Sequence, residues 1–174
     1  TIIGGSGNIG RWVADFAHTL GHRVTIQDLG KSPDLNPDWS FESDFHKSIK
    51  NADVVVLATP MQITNGLLID LSKSDTKAII VEVCSLKSPV KVGAQKCIDN
   101  GLKFVSLHPM FGPNTETLFE KNLILCPITK EDKTYDKVKK FIKKTPINLI
   151  EIPFDKHDSF MRYILGSSHL INLI

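Results

Sequence analysis

The chain has 174 residues, a formal net charge of +2, and 41% hydrophobic and 23% charged residues, which excludes a disordered, collagen-like or disulfide-scaffold protein. So small a charge gives no footing for nucleic acid, and no apolar run reaches the ~18 residues a membrane helix needs. The three cysteines, Cys84, Cys97 and Cys126, show no metal-ligand spacing; with no signal-peptide pattern at the start, a cytoplasmic protein in a reducing compartment is expected.

Residues 1–3, "TII", read as a strand that runs into "GGSGNIG", and "RWVADFAHTLG" carries Trp12, Val13, Phe16, Ala17 and Leu20 at helical spacing. Gly21 is a natural stop for that helix. "HRVTIQD" predicts a second strand ending at Asp28, and residues 29–43 have the Gly, Pro, Asn and Asp density of an irregular loop. A short helix over 44–50 then precedes "ADVVVLATP", a run apolar enough for a strand buried on both faces.

The alternation continues with a helix over 63–71, a strand "KAIIVEVCS", a helix over 89–100 and a strand "KFVSL" that delivers His108. "NLILCPI" and "NLIEI" predict two more strands around the lysine-rich helix of residues 132–144, whose lysine spacing is that of a wet helical face. From residue 155 the pattern is helical. Strands alternating with crossover helices predict an α/β fold, a Rossmann-like doubly wound and mostly parallel sheet. Residues 1–153 are expected to form a dinucleotide-binding domain and 154–174 the start of an all-helical one. Because "TIIGG" opens inside a strand and "SSHLINLI" stops inside a helical pattern, a longer protein is expected.

Gly5, Gly7 and Gly10 form a G-x-G-x-x-G string, with Asn8 and Ile9 between the last two. Alone the string is weak, but it follows a strand, opens a helix and precedes Asp28 at the end of the next strand. The roles expected are a tight turn at Gly5, close approach of a pyrophosphate at Gly7 and helix–strand packing at Gly10. Asp28 is placed to accept from the ribose hydroxyls, and its charge disfavours a 2′-phosphate, so NAD is expected over NADP, although Lys31 lies close enough in sequence to serve a phosphate. Ligands of open α/β sheets sit beyond the carboxyl ends of the strands. "ATPMQIT", with Thr59 and Pro60 on the nicotinamide side, "CSLKSP" and "LHPMFGP" should therefore ring one cleft.

In these segments the chain resembles the prephenate dehydrogenases of tyrosine biosynthesis. "VVVLATP", "VEVCSLKSPV", "KHDSFMRYILGSSHL" and above all "LHPMFGP" carry the resemblance. It implies NAD-dependent oxidative decarboxylation of prephenate to 4-hydroxyphenylpyruvate, or of arogenate to tyrosine. It implies that His108 is the catalytic histidine, that Ser85 helps orient the ring hydroxyl, and that His169 lines the substrate pocket. A homodimer through the helical domain is implied as well. The rigid prolines Pro109 and Pro113 are expected to hold the His108 ring in place.

Lys87 reads equally as a cleft residue and as a solvated lysine, His157 equally as a site residue and as a helix-start residue. Asp158 and Arg162, four apart, are expected to pair with each other. The family holds the ring carboxylate of prephenate with an arginine, and none of Arg11, Arg23 and Arg162 stands in that motif. Two other readings compete: a different nicotinamide oxidoreductase such as a deazaflavin-dependent NADP reductase, and a non-catalytic dinucleotide-sensing module.

Overall fold

The computed structural model describes the backbone of residues 1–129 and 133–171, and their side chains except those of 165–171. Eight strands form one sheet: β1 (Ile2–Ile3), β2 (Thr25–Gln27), β3 (Ser40–Glu42), β4 (Val54–Leu57), β5 (Ile79–Glu82), β6 (Lys103–Pro109), β7 (Asn122–Leu125) and β8 (Asn148–Glu151). Their order is β3-β2-β1-β4-β5-β6-β7-β8. Strands β1 to β6 pair in parallel, β7 runs antiparallel to β6, and β8 is parallel to β7. The order turns back between β1 and β4, the switch point at which doubly wound sheets open a ligand crevice.

The helices are α1 (Asn8–Thr19), α2 (Phe45–Ile49), α3 (Met61–Leu71), α4 (Lys91–Asp99), α5 (Lys133–Ile142) and α6 (Phe154–Ile171), with a 3-10 turn at Ser88–Val90 before α4. Strand alternation sorts them onto two layers. Val55 and Leu57 of β4 face a core filled by Leu68 and Leu71 of α3, Ala94 and Cys97 of α4, and Phe154 and Met161 of α6. Val56, between them, faces the other layer, where α1 packs Val13, Ala14 and Ala17 on Ile2, Val24 and Ile26, and α5 packs Tyr135 and Val138 on Val81, Val105 and Leu125.

Two features differ from the sequence-based expectation. Residues 40–42 lie in a stretch read as irregular, yet they form the parallel edge strand β3, with Phe41 opposite Ile26 and the neighbouring Trp39 buried in the α1 core. Two aromatic residues that bury against α1 outweigh the loop-like composition around them. Second, β6 does not stop before the histidine: it continues through His108 and Pro109 because β7 supplies the partners Ile124 and Leu123.

Candidate active site

Registers place one row of residues along the carboxyl edge of the sheet. Ile3 lies opposite Gln27 and Leu57, Leu57 opposite Glu82, and Glu82 opposite Ser106. The residues that follow, Gly4, Asp28, Ala58, Val83 and Leu107, therefore open along one edge, with the glycine loop and the Ala58–Pro60 turn on either side of the switch point.

The glycine loop is as tight as its composition suggests, but the conformational demand falls one residue early. Gly4, not Gly5, has a positive φ of 75°. Gly5 is required by space instead, since a Cβ there would stand 2.7 Å from the Ile26 side chain. At Gly10 a Cβ would meet the Gly4 carbonyl oxygen at 2.3 Å, so α1 can approach β1 only with a hydrogen at that position. Gly7 caps α1 in an extended conformation and is exposed, as is Asn8, while Ile9 is half-buried. The first-turn N–H groups of α1 lack intrahelical acceptors and carry the positive end of the helix dipole.

Asp28 is half-buried and accepts through Oδ2 from the N–H of Ser6 at 3.1 Å and through Oδ1 from that of Leu29 at 2.8 Å. It thus fastens the glycine loop to the end of β2 and keeps lone pairs for a further donor. Arg11, in the first turn of α1, donates to the Ser6 carbonyl at 3.0 Å and to Ser32 Oγ in the loop after Asp28. The Oγ of Ser6 is buried without a protein partner. A polar atom orphaned in the loop, a side-chain-free cradle at Gly7 and a free helix start together fit the phosphates of a dinucleotide. Thr59 is half-buried and shares a hydrogen bond of 2.8 Å with Thr64 of α3, and Pro60 caps that helix.

Beyond β5 the construction changes to a buried polar network. Lys87 and Glu82 are both fully buried and form an ion pair at 2.7 Å. The three ammonium protons of Lys87 are all used, on Glu82 Oε1, the Cys84 carbonyl at 2.8 Å and the Leu107 carbonyl at 2.7 Å. Glu82 accepts in addition from the N–H of Cys84 at 2.8 Å and from the hydroxyl of Ser106. Lys87 is therefore no solvated lysine: it welds the end of β5, the loop after it and the strand that carries His108.

His108 is 7% exposed. Its Nδ1 lies 2.9 Å from Nε2 of His157, and Nδ1 of His157 lies 2.8 Å from Oδ1 of Asp158. Asp158 is held in turn by the N–H groups of Lys87 and Ser88, both at 2.8 Å, and by the Ser88 hydroxyl. The expected pairing of Asp158 with Arg162 is not what forms; the carboxylate reaches back across the fold to residues 87 and 88, where two amides and a hydroxyl satisfy it, and Arg162 is exposed. The spacing that brings this about is helical: Phe154, His157 and Met161 share the face of α6 that packs inward.

The network assigns the tautomers. A carboxylate can only accept, so His157 donates from Nδ1 to Asp158 and offers the lone pair of Nε2 to the Nδ1–H of His108. The lone pair of His108 then resides on Nε2, the nitrogen not engaged by His157. Burial, the positive charge of Lys87 and the neighbouring His157 push the His108 pKa down to about 4, opposed by Asp158. Burial also lowers that of His157, against the pull of Asp158. For Asp158 burial would raise the carboxyl, but the hydrogen bonds from Ser88, His157 and the two amides outweigh it and hold it well below the usual carboxylate range. The arrangement is a neutral base backed by an oriented imidazole and a fixed charge.

Ser85 is exposed in the loop after β5, on the same edge. His169 falls in α6, but its side chain lies outside the described residues. All three cysteines are buried with thiols pushed up to about 12, chiefly by burial, so none is a ready nucleophile at neutral pH. No helix among the described residues is long and apolar enough to cross a membrane, and these residues hold no metal-binding cluster. Sequence reasoning undervalued Glu82, Lys87 and Asp158. The available signal was an acidic residue ending an apolar strand with a lysine five positions on.

Comparison with known proteins agrees with this geometry. The chain is 27% identical over 97% of its length to a Methanocaldococcus jannaschii protein named "Probable arogenate/prephenate dehydrogenase", covering 40% of that protein. It is 30% identical over 73% of its length to the prephenate dehydrogenase of Bacillus subtilis, covering 37% of that one. It thus spans well under half of these curated relatives. Among solved structures, the prephenate dehydrogenase of Aquifex aeolicus in complex with hydroxyphenyl propionate and NAD+ superposes with a TM-score of 0.71 over 92% of this chain and 61% of its own, at 21% identity, a likeness of fold. The family profile for the prephenate dehydrogenase nucleotide-binding domain matches residues 33–151. That span is more than half of the sequence and contains both His108 and the Glu82–Lys87 pair, so the chain belongs to the prephenate dehydrogenase family.

Proposed function

We propose that the protein oxidatively decarboxylates prephenate to 4-hydroxyphenylpyruvate in tyrosine biosynthesis, with NAD as hydride acceptor. The observation that carries this reading is the neutral His108, backed by His157 and Asp158, on the same sheet edge as a glycine loop fit for a dinucleotide. The loop of Gly5, Gly7, Asn8, Ile9 and Gly10 would hold the pyrophosphate, Asp28 the adenosine ribose, and Thr59 and Pro60 would border the nicotinamide. NAD, when bound, supplies the hydride acceptor.

His108 Nε2 accepts the proton of the C4 hydroxyl as the C4–H bond breaks, so that the oxygen can become a carbonyl without carrying full negative charge uphill. Loss of carbon dioxide from the opposite ring carbon sends its bonding pair into the ring, which becomes aromatic and leaves a phenolate oxygen. His108 returns its proton there, so the base is regenerated within one turnover. Ser85 orients the hydroxyl toward His108, and His169 lines the far side of the substrate. We read α6 as the first helix of a helical domain that completes the site, supplies the cationic group for the ring carboxylate and joins two copies in a cytoplasmic homodimer. Arogenate is the second substrate to consider, since the name of the M. jannaschii relative includes it.

The test is absorbance at 340 nm for the full-length gene product with NAD and prephenate, beside a His108→Asn variant. Reduction of NAD that falls by about 10²–10⁴-fold in the variant, with the fold retained, is expected for loss of a general base. No reduction with prephenate or arogenate by a protein that binds NADH would overturn the reading.

A further inference from the structure

Trp12 and Phe16, four residues apart on α1, have the spacing of core residues, yet both stand outside the hydrophobic clusters. Their rings stack on each other, 5.6 Å between centroids and 4° between planes. The edge of this pair meets Phe111, the aromatic residue of "HPMFGP", at 4.9 Å and 64°. Trp12 Nε1–H also donates to the Thr115 carbonyl at 3.0 Å. Thr115 closes a turn by donating its own N–H to the Gly112 carbonyl at 3.2 Å.

The topology gives these contacts their meaning. His108 is on β6 and α1 follows β1, and in the sheet β4 and β5 stand between them. At ~4.8 Å per strand, β1 and β6 are about 14 Å apart. The chain leaving His108 must therefore span that separation for Phe111 and Thr115 to touch Trp12. It joins the end of β6, where the N–H of Met110 still donates to the Asn122 carbonyl at 2.9 Å, to the helix that follows the glycine loop.

We propose that Trp12 is a positioning residue that fastens segment 110–115 as a strap across the cleft, so that the place of His108 is tied to the helix whose first turn receives the cofactor. This rests on the dinucleotide reading above. Trp12 touches neither reacting atom; it acts through Phe111 and Thr115 on the strand end that carries the base. A ring contact and a single hydrogen bond are enough to fix the segment and weak enough to release it when the cofactor exchanges.

The experiment is hydrogen–deuterium exchange on the full-length gene product, with and without NADH, for wild type, Trp12→Ala and Trp12→Phe, together with steady-state kinetics. In wild type NADH slows exchange in both 4–10 and 110–116. In Trp12→Ala the first segment keeps its protection, while 110–116 exchanges at least tenfold faster and gains little from NADH. The kcat falls about tenfold, as expected for a base displaced by a fraction of an ångström, with the Kd for NADH changed less than threefold. Trp12→Phe, which keeps the ring but loses the donor, lies between. Unchanged exchange at 110–116 in Trp12→Ala overturns the proposal, and so does a parallel loss of NADH affinity and kcat. A wild type that shows the NADH-dependent protection yet oxidises neither prephenate nor arogenate would refute the proposed reaction and leave the strap standing.

Discussion

At the glycine-loop end of the sheet edge, Gly4, Gly5, Gly7 and Gly10 act by the side chains they lack: Gly7 and Gly10 face backbone atoms of the loop itself, Gly4 faces the Ala58–Thr59 turn, and Gly5 faces the Ile26 side chain. At the end that carries His108 the reverse holds. Glu82, Lys87, His108, His157 and Asp158 act through charged or titratable side chains, buried or half-buried, whose partners lie up to 71 residues away. The first end is a matter of space within the loop and beside the neighbouring ends of β2 and β4. The second exists only after β5, β6 and α6 have packed, so it is the more dependent on the rest of the fold.

That contrast is broken most severely at Lys87. Replacing it by methionine leaves the Glu82 carboxylate buried without its cation, and removal of one partner of a buried pair typically costs ~3–5 kcal/mol. Denaturant unfolding of Lys87→Met should show a loss of that size, with Glu82→Gln in the same chain restoring part of it. A loss below about 1 kcal/mol would mean that the pair is not what welds β5 to β6.

The next effect is at Gly10 and tests the other end. A methyl group there would stand 2.3 Å from the Gly4 oxygen and 2.7 Å from the Gly5 Cα, both backbone atoms, so α1 must move off β1. Overpacking of this kind costs ~1–3 kcal/mol, and Gly10→Ala should also lose most of its NADH affinity. Gly7→Ala is the control, since its Cβ would meet only the Gly4 oxygen at 3.3 Å; it should fold normally. Equal unfolding midpoints for the two variants would show that close helix–strand approach is not the constraint.

The same contrast explains what could be read from the sequence. Strands, helices, the glycine string and the strand-end position of Asp28 were legible because each is marked by the residues next to it in the chain. The strand β3 was not, because three residues inside a Pro- and Asp-rich stretch owe their conformation to Phe41 and Trp39 packing on α1. Trp12 and Phe16 were rightly placed on a helix, but helical periodicity tells which side chains share a face, not whether that face meets a sheet or a distant loop. Lys87 was ambiguous because a lysine buried with three acceptors and one in water have the same sequence. His108 was found by its motif, but the proline-based account of its placement was incomplete, since His157, 49 positions on, also holds the ring.

The mildest test concerns the proton held at His108. Because its folded pKa is pushed down to about 4, mainly by burial, the imidazole stays neutral as pH falls through 6.5, where an ordinary histidine would be half charged. The acid limb of kcat/KM, which reports the free enzyme, should therefore lie below pH 6.5. In Asp158→Asn two things change together. The negative charge that draws the His108 value upward is lost, so the limb should move to lower pH. An amide can also donate as well as accept, so the direction of the protons on His157 and His108 is no longer fixed, and the plateau should fall by about tenfold. A plateau that falls with no movement of the limb would assign Asp158 to anchoring Lys87 and Ser88 alone. A wild-type limb at or above pH 6.5 would mean that the pocket opens to water in solution, and that the end carrying His108 is less closed than its buried network implies.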